Sequence, residues 1–142
     1  MKHNEWVAVM YVDLDGFKAV NDTWGHTVGD RVLRLVGERM SNALSRGDTI
    51  ARIGGDEFAV LCRWIRPDAA AAIAERVVAA LNRDYNFEGA TVPGGASVGV
   101  VVGTRKSTGP ELLDAADRAL LSAKAQGKAR MALASSLPRV NS

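Results

Sequence analysis

Two consecutive glycines, Gly54 and Gly55, separate two segments of strand-like composition, and this pattern constrains the fold more than any other. The flanking segments, residues 49–53 and 57–64, are short and rich in apolar side chains. Two glycines between such segments are typical of a tight β-hairpin, because glycine accepts the backbone conformations that short turns require. The chain is therefore predicted to contain a sheet in which these two segments are neighbouring antiparallel strands.

Strand and helix patterns alternate along the rest of the chain. Almost wholly apolar runs and one weaker segment predict further strands, at residues 6–12, 96–102 and 130–133. Helices are predicted at residues 28–43, 67–81 and 109–125, the first of them from apolar residues at helical spacing. Residues 18–27 are predicted to form one or two polar helical turns followed by a loop. Residues 82–95 are predicted to form a loop or a small hairpin. This order predicts an α/β (α+β) domain of ferredoxin-like type, with one sheet and helices largely on one face.

Composition is that of an ordinary globular domain. The chain has 142 residues, of which 47% are hydrophobic and 24% charged, and its formal net charge is +2. The length suits one domain, and the small charge does not indicate a nucleic-acid partner. No apolar run reaches the roughly 20 residues that a membrane-spanning helix needs. The single cysteine, Cys62, excludes an intrachain disulfide, which fits a cytoplasmic location, and it is interpreted as a small buried hydrophobe.

Acidic side chains occur where two predicted strands meet turns. Asp13 and Asp15 follow the first strand and share a face, while Asp56 and Glu57 lie at the hairpin turn. If the strand end and the hairpin tip are neighbours, three or four carboxylates converge and would bind Mg²⁺, which prefers hard oxygen ligands and can serve nucleotidyl transfer. The alternative is that these acids cap turns and face water, and the spacing alone does not decide between the two.

Basic and amide side chains could complete a nucleotide site. Lys18 follows the first acidic pair, and Lys124 and Lys128, four residues apart, are expected on one face of the last helix. Three lysines could neutralise a triphosphate, and Asn21 with Asp30 offers an amide and a carboxylate that match the edge of guanine. Taken singly, the lysine pair is more simply a solvated helix face, and Asp30 a residue stabilised at a helix N-terminus.

In their order along the chain these residues resemble the GGDEF family of diguanylate cyclases. The matching motifs are Asp-Leu-Asp-Gly-Phe-Lys at 13–18, Asn-Asp-Thr-Trp-Gly-His at 21–26, Gly-Gly-Asp-Glu-Phe at 54–58, Ala-Ser-Val-Gly-Val at 96–100 and Ala-Lys-Ala-Gln-Gly at 123–127. The resemblance implies the nucleotide cyclase-like fold, a palm-like antiparallel sheet flanked by helices. It also implies a Mg²⁺- or Mn²⁺-dependent nucleotidyltransferase that condenses two GTP molecules into cyclic di-GMP, a bacterial second messenger, and two pyrophosphates.

The resemblance further implies roles for particular residues. Those implied for the metal and for catalysis are Asp13, Leu14 through its carbonyl, Asp56 and Glu57, with Asp56 also placed to help deprotonate the 3′-hydroxyl. Those implied for the substrate are Phe17 through its backbone, Lys18, Asn21, Asp30, Lys124 and Lys128, of which Asn21 and Asp30 read guanine. Each subunit of a homodimer would bind one GTP. The full-length protein is expected to carry sensor or phosphodiesterase domains and could be anchored to a membrane.

The N-terminal region departs from the family pattern. The family normally begins with a helix carrying an Asp-x-Leu-Thr motif, whose aspartate pairs with the arginine matched by Arg52, and this segment does not precede the first strand. The expectation is a single GGDEF domain at residues 1–133 that lacks this helix, followed by a tail at 134–142.

Other departures concern the product site and the phosphate site. The family's product-inhibition motif Arg-x-x-Asp ends here at Asp48 but has Ser45 in place of the arginine, which predicts a degenerate allosteric product site, although Arg76 matches a secondary contact. Lys128 and Ala129 replace the usual Arg-Asn, and Lys128 therefore keeps the charge without the bidentate geometry.

Two other functions remain open. The first is a catalytically inactive, GTP-binding regulatory domain of the same family, favoured by the N-terminal departure and by the altered pair at 128–129. The second is a ferredoxin-like module that binds RNA or protein, which predicts exposed aromatic residues on the strands and a basic face. The chain has only 3 Trp, 2 Tyr and 3 Phe and a charge of +2, and both facts argue against this module.

Overall fold

The apolar N-terminal strand predicted from the sequence is the central strand of a sheet. The structure, a computed structural model, describes residues 6–63 and 65–134. Along the described chain the elements are β1 (Trp6–Leu14), α1 (Phe17–Trp24), α2 (His26–Ala43), β2 (Thr49–Arg52), β3 (Glu57–Arg63), α3 (Pro67–Leu81), β4 (Tyr85–Phe87), β5 (Ala90–Val92), β6 (Ala96–Thr104), α4 (Gly109–Ala125) and β7 (Met131–Leu133).

The sheet has the order β2-β3-β1-β6-β7. β1 pairs antiparallel with both β3 and β6, and β2 pairs antiparallel with β3. These four strands have the ferredoxin-like order, which confirms the predicted fold class. β7 pairs parallel with β6, so the complete sheet is mixed rather than wholly antiparallel. β4 and β5 form a separate hairpin, which agrees with one of the two options for residues 82–95.

Helices cover both faces of the sheet, whereas the sequence analysis placed them largely on one. Met10 of β1 belongs to the larger hydrophobic cluster, together with Val36 of α2 and Val77 of α3. The next side chain back, Val9, packs on the opposite face against Leu112 of α4. The reason is visible in β1, because a strand that is apolar at successive positions must be covered on both sides.

α4 lies very close to β6 at Gly99. A Cβ atom at this position would lie 2.1 Å from the backbone oxygen of Ala116 and 2.3 Å from the backbone nitrogen of Leu120. Only a residue without a side chain allows this approach. The spacing between α4 and the sheet therefore depends on Gly99, and it determines where Lys124, near the end of the same helix, lies relative to the end of β1.

Most predicted boundaries agree with the structure to within two residues. The helices predicted at 67–81 and 109–125 have those bounds, and the one or two helical turns predicted from residue 18 are α1, Phe17–Trp24. β1 and β6 each extend two residues beyond their predicted C-terminal ends. Residue 64 of the predicted hairpin strand and residues 135–142 of the predicted tail lie outside the described residues.

Candidate functional site

The end of β1 meets the starts of β3 and β6 at one edge of the sheet. Asp13 is paired with Glu57 on β3 and with Ser97 on β6. One residue further, the Leu14 N–H donates a hydrogen bond of 3.0 Å to the Asp56 carbonyl oxygen. The predicted proximity of the first strand end and the Gly54-Gly55 hairpin is therefore present in the structure.

The two carboxylate oxygens of Asp13 have different surroundings. The side chain is buried, and Lys124 Nζ donates a hydrogen bond to Oδ2. Oδ1 is buried and has no hydrogen-bond partner within the described part of the chain. The pKa of Lys124 is raised, first by the hydrogen bond to Asp13 and also by the negative charges of Asp13, Asp15 and Asp56. Lys124 therefore partly neutralises an acidic edge, and one oxygen of Asp13 still lacks a partner.

Glu57 contacts a residue that the sequence analysis missed. The Tyr11 hydroxyl donates a hydrogen bond of 3.3 Å to Glu57 Oε1. Burial and the nearby Glu57 carboxylate raise the pKa of Tyr11, so the hydroxyl keeps its proton and remains a donor. Strand periodicity contained the signal, because Tyr11 lies two residues before Asp13 and therefore on the same face.

Asp15 is engaged by donors from two other segments. Ser97 Oγ donates to Asp15 Oδ1 at 2.8 Å, and the Ala129 N–H donates to Asp15 Oδ2 at 3.0 Å. The Asp15 N–H in turn donates to the Gly95 carbonyl at 2.9 Å. The acid thus joins the end of β1 to the start of β6 and to the turn after α4.

The predicted convergence of three or four carboxylates on one cation is not present in this arrangement. Within residues 6–63 and 65–134, no group of three or more His, Cys, Asp or Glu side chains is arranged to hold a metal ion. The physical reason is that Lys124 takes one oxygen of Asp13, while Ser97 and Ala129 take the oxygens of Asp15. A divalent cation still fits the chemistry, because Mg²⁺ commonly uses one or two carboxylates plus substrate phosphates, and Asp13 Oδ1 is a hard donor without a partner.

Arg52 closes the hairpin turn. Its Nε donates to the Gly54 carbonyl at 3.0 Å and its Nη2 to the Gly55 carbonyl at 2.8 Å. The turn is also closed by the Ile53 N–H, which donates to the Glu57 carbonyl at 2.8 Å. Arg52 therefore has partners within its own turn, in the chain as described, and helps to shape the segment that carries Asp56.

The two residues predicted to read guanine lie at the junction of α1 and α2. A Cβ atom on Gly29 would lie 1.9 Å from Asn21 Oδ1, so the glycine leaves the space that the amide occupies. Asp30, the next residue, is exposed. Phe17 is buried in the same region, which leaves its backbone as the part available to a ligand, and Lys18 is exposed.

Lys124 and Lys128 do not share a helix face, and that prediction was wrong. α4 ends at Ala125, and Gly127 has a φ of 127°. Lys128 and Ala129 then adopt left-handed conformations, with φ values of 65° and 52°. The spacing argument assumed that helical geometry continued through residue 128. Lys128 is exposed on the turn that Asp15 binds, whereas Lys124 contacts Asp13 from the helix.

The residues of the expected product site lie around the end of α2. Asp48 Oδ2 accepts a hydrogen bond of 2.8 Å from the Ser45 N–H, and Arg76 Nη2 donates to the Ala43 carbonyl at 2.8 Å. Cys62 is buried, and burial together with the Asp48 charge raises its pKa to about 12. A thiol with this pKa stays protonated at neutral pH, which agrees with its interpretation as a structural residue.

Within residues 6–63 and 65–134, none of the helices combines the length and the apolar content that crossing a membrane requires.

Comparison with known proteins gives consistent matches. The profile described as "Diguanylate cyclase, GGDEF domain" matches residues 1–130. The bifunctional diguanylate cyclase/cyclic di-GMP phosphodiesterase MucR of Pseudomonas aeruginosa is 43% identical over 122 residues, which cover 85% of this chain and 18% of MucR. The probable diguanylate cyclase DgcE of Escherichia coli is 39% identical over 127 residues, which cover 87% of this chain and 11% of DgcE. The chain thus spans less than a fifth of the length of either relative.

Solved structures agree with the sequence matches. The GGDEF domain of TpbB (YfiN) from Pseudomonas aeruginosa superposes with a TM-score of 0.85 at 36% identity, covering 94% of this chain and 85% of that one. An EAL/GGDEF domain protein from M. capsulatus superposes with a TM-score of 0.84 at 35% identity, covering 93% and 86%. With a profile match over residues 1–130, the same fold in solved relatives and the motif at 54–58 placed beside Asp13, the chain belongs to the GGDEF domain family of diguanylate cyclases.

Proposed function

We propose that this domain is a diguanylate cyclase that condenses two GTP molecules into cyclic di-GMP with release of two pyrophosphates. The observation that carries the proposal is Asp13 Oδ1, which is buried and has no hydrogen-bond partner among the described residues, beside the hairpin that bears Asp56 and Glu57. A buried carboxylate oxygen without a hydrogen bond is costly unless a cation or a donor binds it. The relatives named as diguanylate cyclases support the same activity.

The cation proposed for the site is Mg²⁺ or Mn²⁺. Asp13 and Asp56 would hold it with the Leu14 carbonyl, and Glu57 would support this set. When bound, a divalent cation neutralises the triphosphate and lowers the pKa of a coordinated hydroxyl. The hard oxygen donors favour these ions over softer metals.

The remaining residues bind and orient GTP. Lys18, Lys124 and Lys128 would neutralise the phosphates as point charges, with the backbone of Phe17 as a further contact. At the other end of the nucleotide, Asn21 and Asp30 would hydrogen-bond the guanine edge, and the absence of a side chain at Gly29 leaves the space that the Asn21 amide occupies. These two sets of contacts fix the α-phosphate relative to Asp56.

The chemical step is a phosphoryl transfer between two bound nucleotides. Asp56 would help to take the proton from the 3′-hydroxyl of one GTP. That oxygen forms a bond to the α-phosphorus of the second GTP as the bond to pyrophosphate breaks, and the reciprocal step closes the ring. Because each domain binds one GTP, two domains must face each other, and we propose a homodimer. Catalysis then comes from orientation and charge stabilisation.

The domain is proposed to act within a larger, regulated cytoplasmic protein. MucR is named as both a cyclase and a phosphodiesterase, and SiaD of Pseudomonas aeruginosa has been solved in complex with its activator SiaC. By analogy, sensor, phosphodiesterase or activator modules would control how two copies of this domain meet.

The test is a cyclase assay of the 142-residue chain at high protein concentration. The chain is incubated with GTP and Mg²⁺, and cyclic di-GMP is quantified by chromatography. Asp56→Ala should form no product, whereas Asp114→Ala, which alters an exposed acid of α4, should match the wild type. If the wild type binds GTP but forms no cyclic di-GMP, the proposed activity is wrong and the regulatory GTP-binding function replaces it.

A further inference from the structure

The turn after α4 has a backbone conformation that its residues do not favour. Lys128 and Ala129 have φ values of 65° and 52° and are the non-glycine residues with positive φ within the described chain. Side chains with a Cβ atom are strained in this region, and consecutive residues there are rare. Such strain persists only where the surroundings impose it, and it often accompanies a functional site.

A carboxylate that lies just after β1 accepts a hydrogen bond from this turn. The Ala129 N–H donates to Asp15 Oδ2 at 3.0 Å and to Ser97 Oγ at 3.2 Å. Ser97 Oγ donates in turn to Asp15 Oδ1 at 2.8 Å, which orients the carboxylate. Hydrogen bonds from neutral donors to an ionised carboxylate are stronger than those between neutral groups. Asp15 therefore compensates for the left-handed conformation at Ala129.

Two other hydrogen bonds of the turn are local, and their acceptors are uncharged backbone carbonyls. The Lys128 N–H donates to the Ala123 carbonyl at 3.1 Å, and Arg130 Nε donates to the Lys128 carbonyl at 3.0 Å. Neither of these two contacts ties the turn to the end of β1. Within the described residues, the contacts that relate the turn to the edge carrying Asp13 are those of the Ala129 N–H with Asp15 and with Ser97, and Ser97 is itself hydrogen-bonded to Asp15.

We infer that Asp15 is a positioning residue, which holds the turn at 127–129 so that Lys128 reaches the phosphates of GTP. This inference rests on the proposed function, because it takes Lys128 as a phosphate-binding residue. In this proposal Asp15 contacts neither substrate nor cation. Its two oxygens are used by Ser97 and Ala129, and it acts through Lys128.

The first test examines the contact without any nucleotide. In Asp15→Asn, which keeps the size of the side chain but removes its charge, the Ala129 amide should exchange its hydrogen at least about tenfold faster than in the wild type. An amide within β6, such as that of Val100, serves as the control and should not change. Unchanged exchange at Ala129 would overturn the inference, whether or not the chain proves to be a cyclase.

The second test is a double-mutant cycle on GTP binding in the presence of Mg²⁺. Asp15→Asn and Lys128→Ala should each weaken GTP binding by about tenfold. The double variant should bind GTP no more weakly than either single variant, because both changes remove the same phosphate contact of Lys128. Fully additive losses would show that Asp15 does not act through Lys128. Guanosine, which has no phosphates, should bind equally to the wild type and to Asp15→Asn.

Two further measurements test whether Asp15 has a purely structural role or is a ligand of the cation. Asparagine is enriched in the left-handed region, so Ala129→Asn added to Asp15→Asn should recover part of the GTP affinity. Mn²⁺ binding without nucleotide, measured by electron paramagnetic resonance, should be equal in the wild type and Asp15→Asn. Loss of Mn²⁺ binding in that variant would identify Asp15 as a cation ligand and overturn the inference. If the wild type itself binds no GTP, the proposed function fails, and the exchange test alone decides the role of Asp15.

Discussion

Lys124 Nζ donates a hydrogen bond to Asp13 Oδ2, although 111 residues separate the two in sequence. The contact joins the last turn of α4 to the end of β1, and it places an ammonium group at the carboxylate proposed to bind the cation. Lys124 and a divalent cation would therefore act on the same carboxylate, Lys124 at Oδ2 and the cation at Oδ1, and their positive charges would repel each other. In the proposed reaction, Lys124 would also contact the phosphates.

This repulsion between two positive charges predicts the effect of Lys124→Met. Removing the ammonium group leaves Asp13 without its partner, so Mn²⁺ alone should bind several-fold more tightly than in the wild type. GTP should bind more weakly, because a phosphate contact is lost. Electron paramagnetic resonance of free Mn²⁺ and calorimetry with GTP measure the two changes. Lys106→Met, at an exposed loop lysine, is the control, and equal Mn²⁺ affinity in Lys124→Met and the wild type would contradict the account.

The close packing of α4 on β6 predicts a large effect of Gly99→Ala. The new Cβ atom would meet backbone atoms of Ala116 and Leu120, which cannot rotate away. We expect a loss of about 3 kcal/mol in the free energy of unfolding, measured with urea. Gly37→Ala, within α2 and with open space around its Cβ position, should instead stabilise by about 0.5–1 kcal/mol. A neutral Gly99→Ala would show that α4 does not depend on this approach.

The capping box of α4 predicts a pH dependence of stability. Glu111 Oε1 accepts from the Thr108 N–H at 2.9 Å, and Thr108 Oγ1 accepts from the Glu111 N–H at 3.2 Å. The hydrogen bonds to Thr108 lower the pKa of Glu111 below its ordinary value of 4.5. Because the pKa of Glu111 is lower in the folded than in the unfolded state, its carboxylate stabilises the folded state at pH values above the unfolded-state pKa. This stabilisation is lost as the pH falls through the folded-state pKa.

Two variants measure this cap. At pH 7, Glu111→Gln should have a lower free energy of unfolding than the wild type. This difference in free energy should shrink as the pH falls below 4.5, because the protonated glutamic acid then resembles the amide of glutamine. Thr108→Ala should lose about 1 kcal/mol at pH 7. A difference between Glu111→Gln and the wild type that stays constant from pH 7 to pH 3 would show that the charge of Glu111 does not contribute.

The degenerate product motif predicts weak binding of cyclic di-GMP to the wild type. Asp48 accepts from the Ser45 N–H, and this contact would survive a change of the Ser45 side chain. Ser45→Arg adds a forked donor near Asp48 and should strengthen binding of cyclic di-GMP by about tenfold or more. Ser45→Lys, with the charge but without the fork, should give a smaller gain in calorimetry. Wild-type affinity equal to that of Ser45→Arg would contradict the prediction.

Local patterns predicted the sheet and the edge that carries the site. The apolar run before Asp13, the Gly54-Gly55 turn and strand periodicity together place Asp13, Asp56 and Glu57 as neighbours, as the pairing of β1 with β3 confirms. The same periodicity contained Tyr11, whose hydroxyl contacts Glu57. These features depend on residues close in sequence or on regular alternation, which is why sequence reasoning reaches them.

Other features depend on contacts that no local pattern contains. The hydrogen bond from Lys124 to Asp13 joins residues 111 positions apart in sequence, and it depends on the close packing of α4 against Gly99. The left-handed turn at Lys128 and Ala129 was missed because neither residue type favours that conformation, and a contact with Asp15 stabilises it.

The rate of cyclic di-GMP formation as a function of protein concentration tests the central claim most directly. Because two GTP-loaded domains must meet, the rate per domain should rise with concentration in the presence of Mg²⁺ and should vanish in Asp56→Ala at every concentration. A wild-type chain that binds GTP and Mg²⁺ but forms no cyclic di-GMP at any concentration would contradict the account.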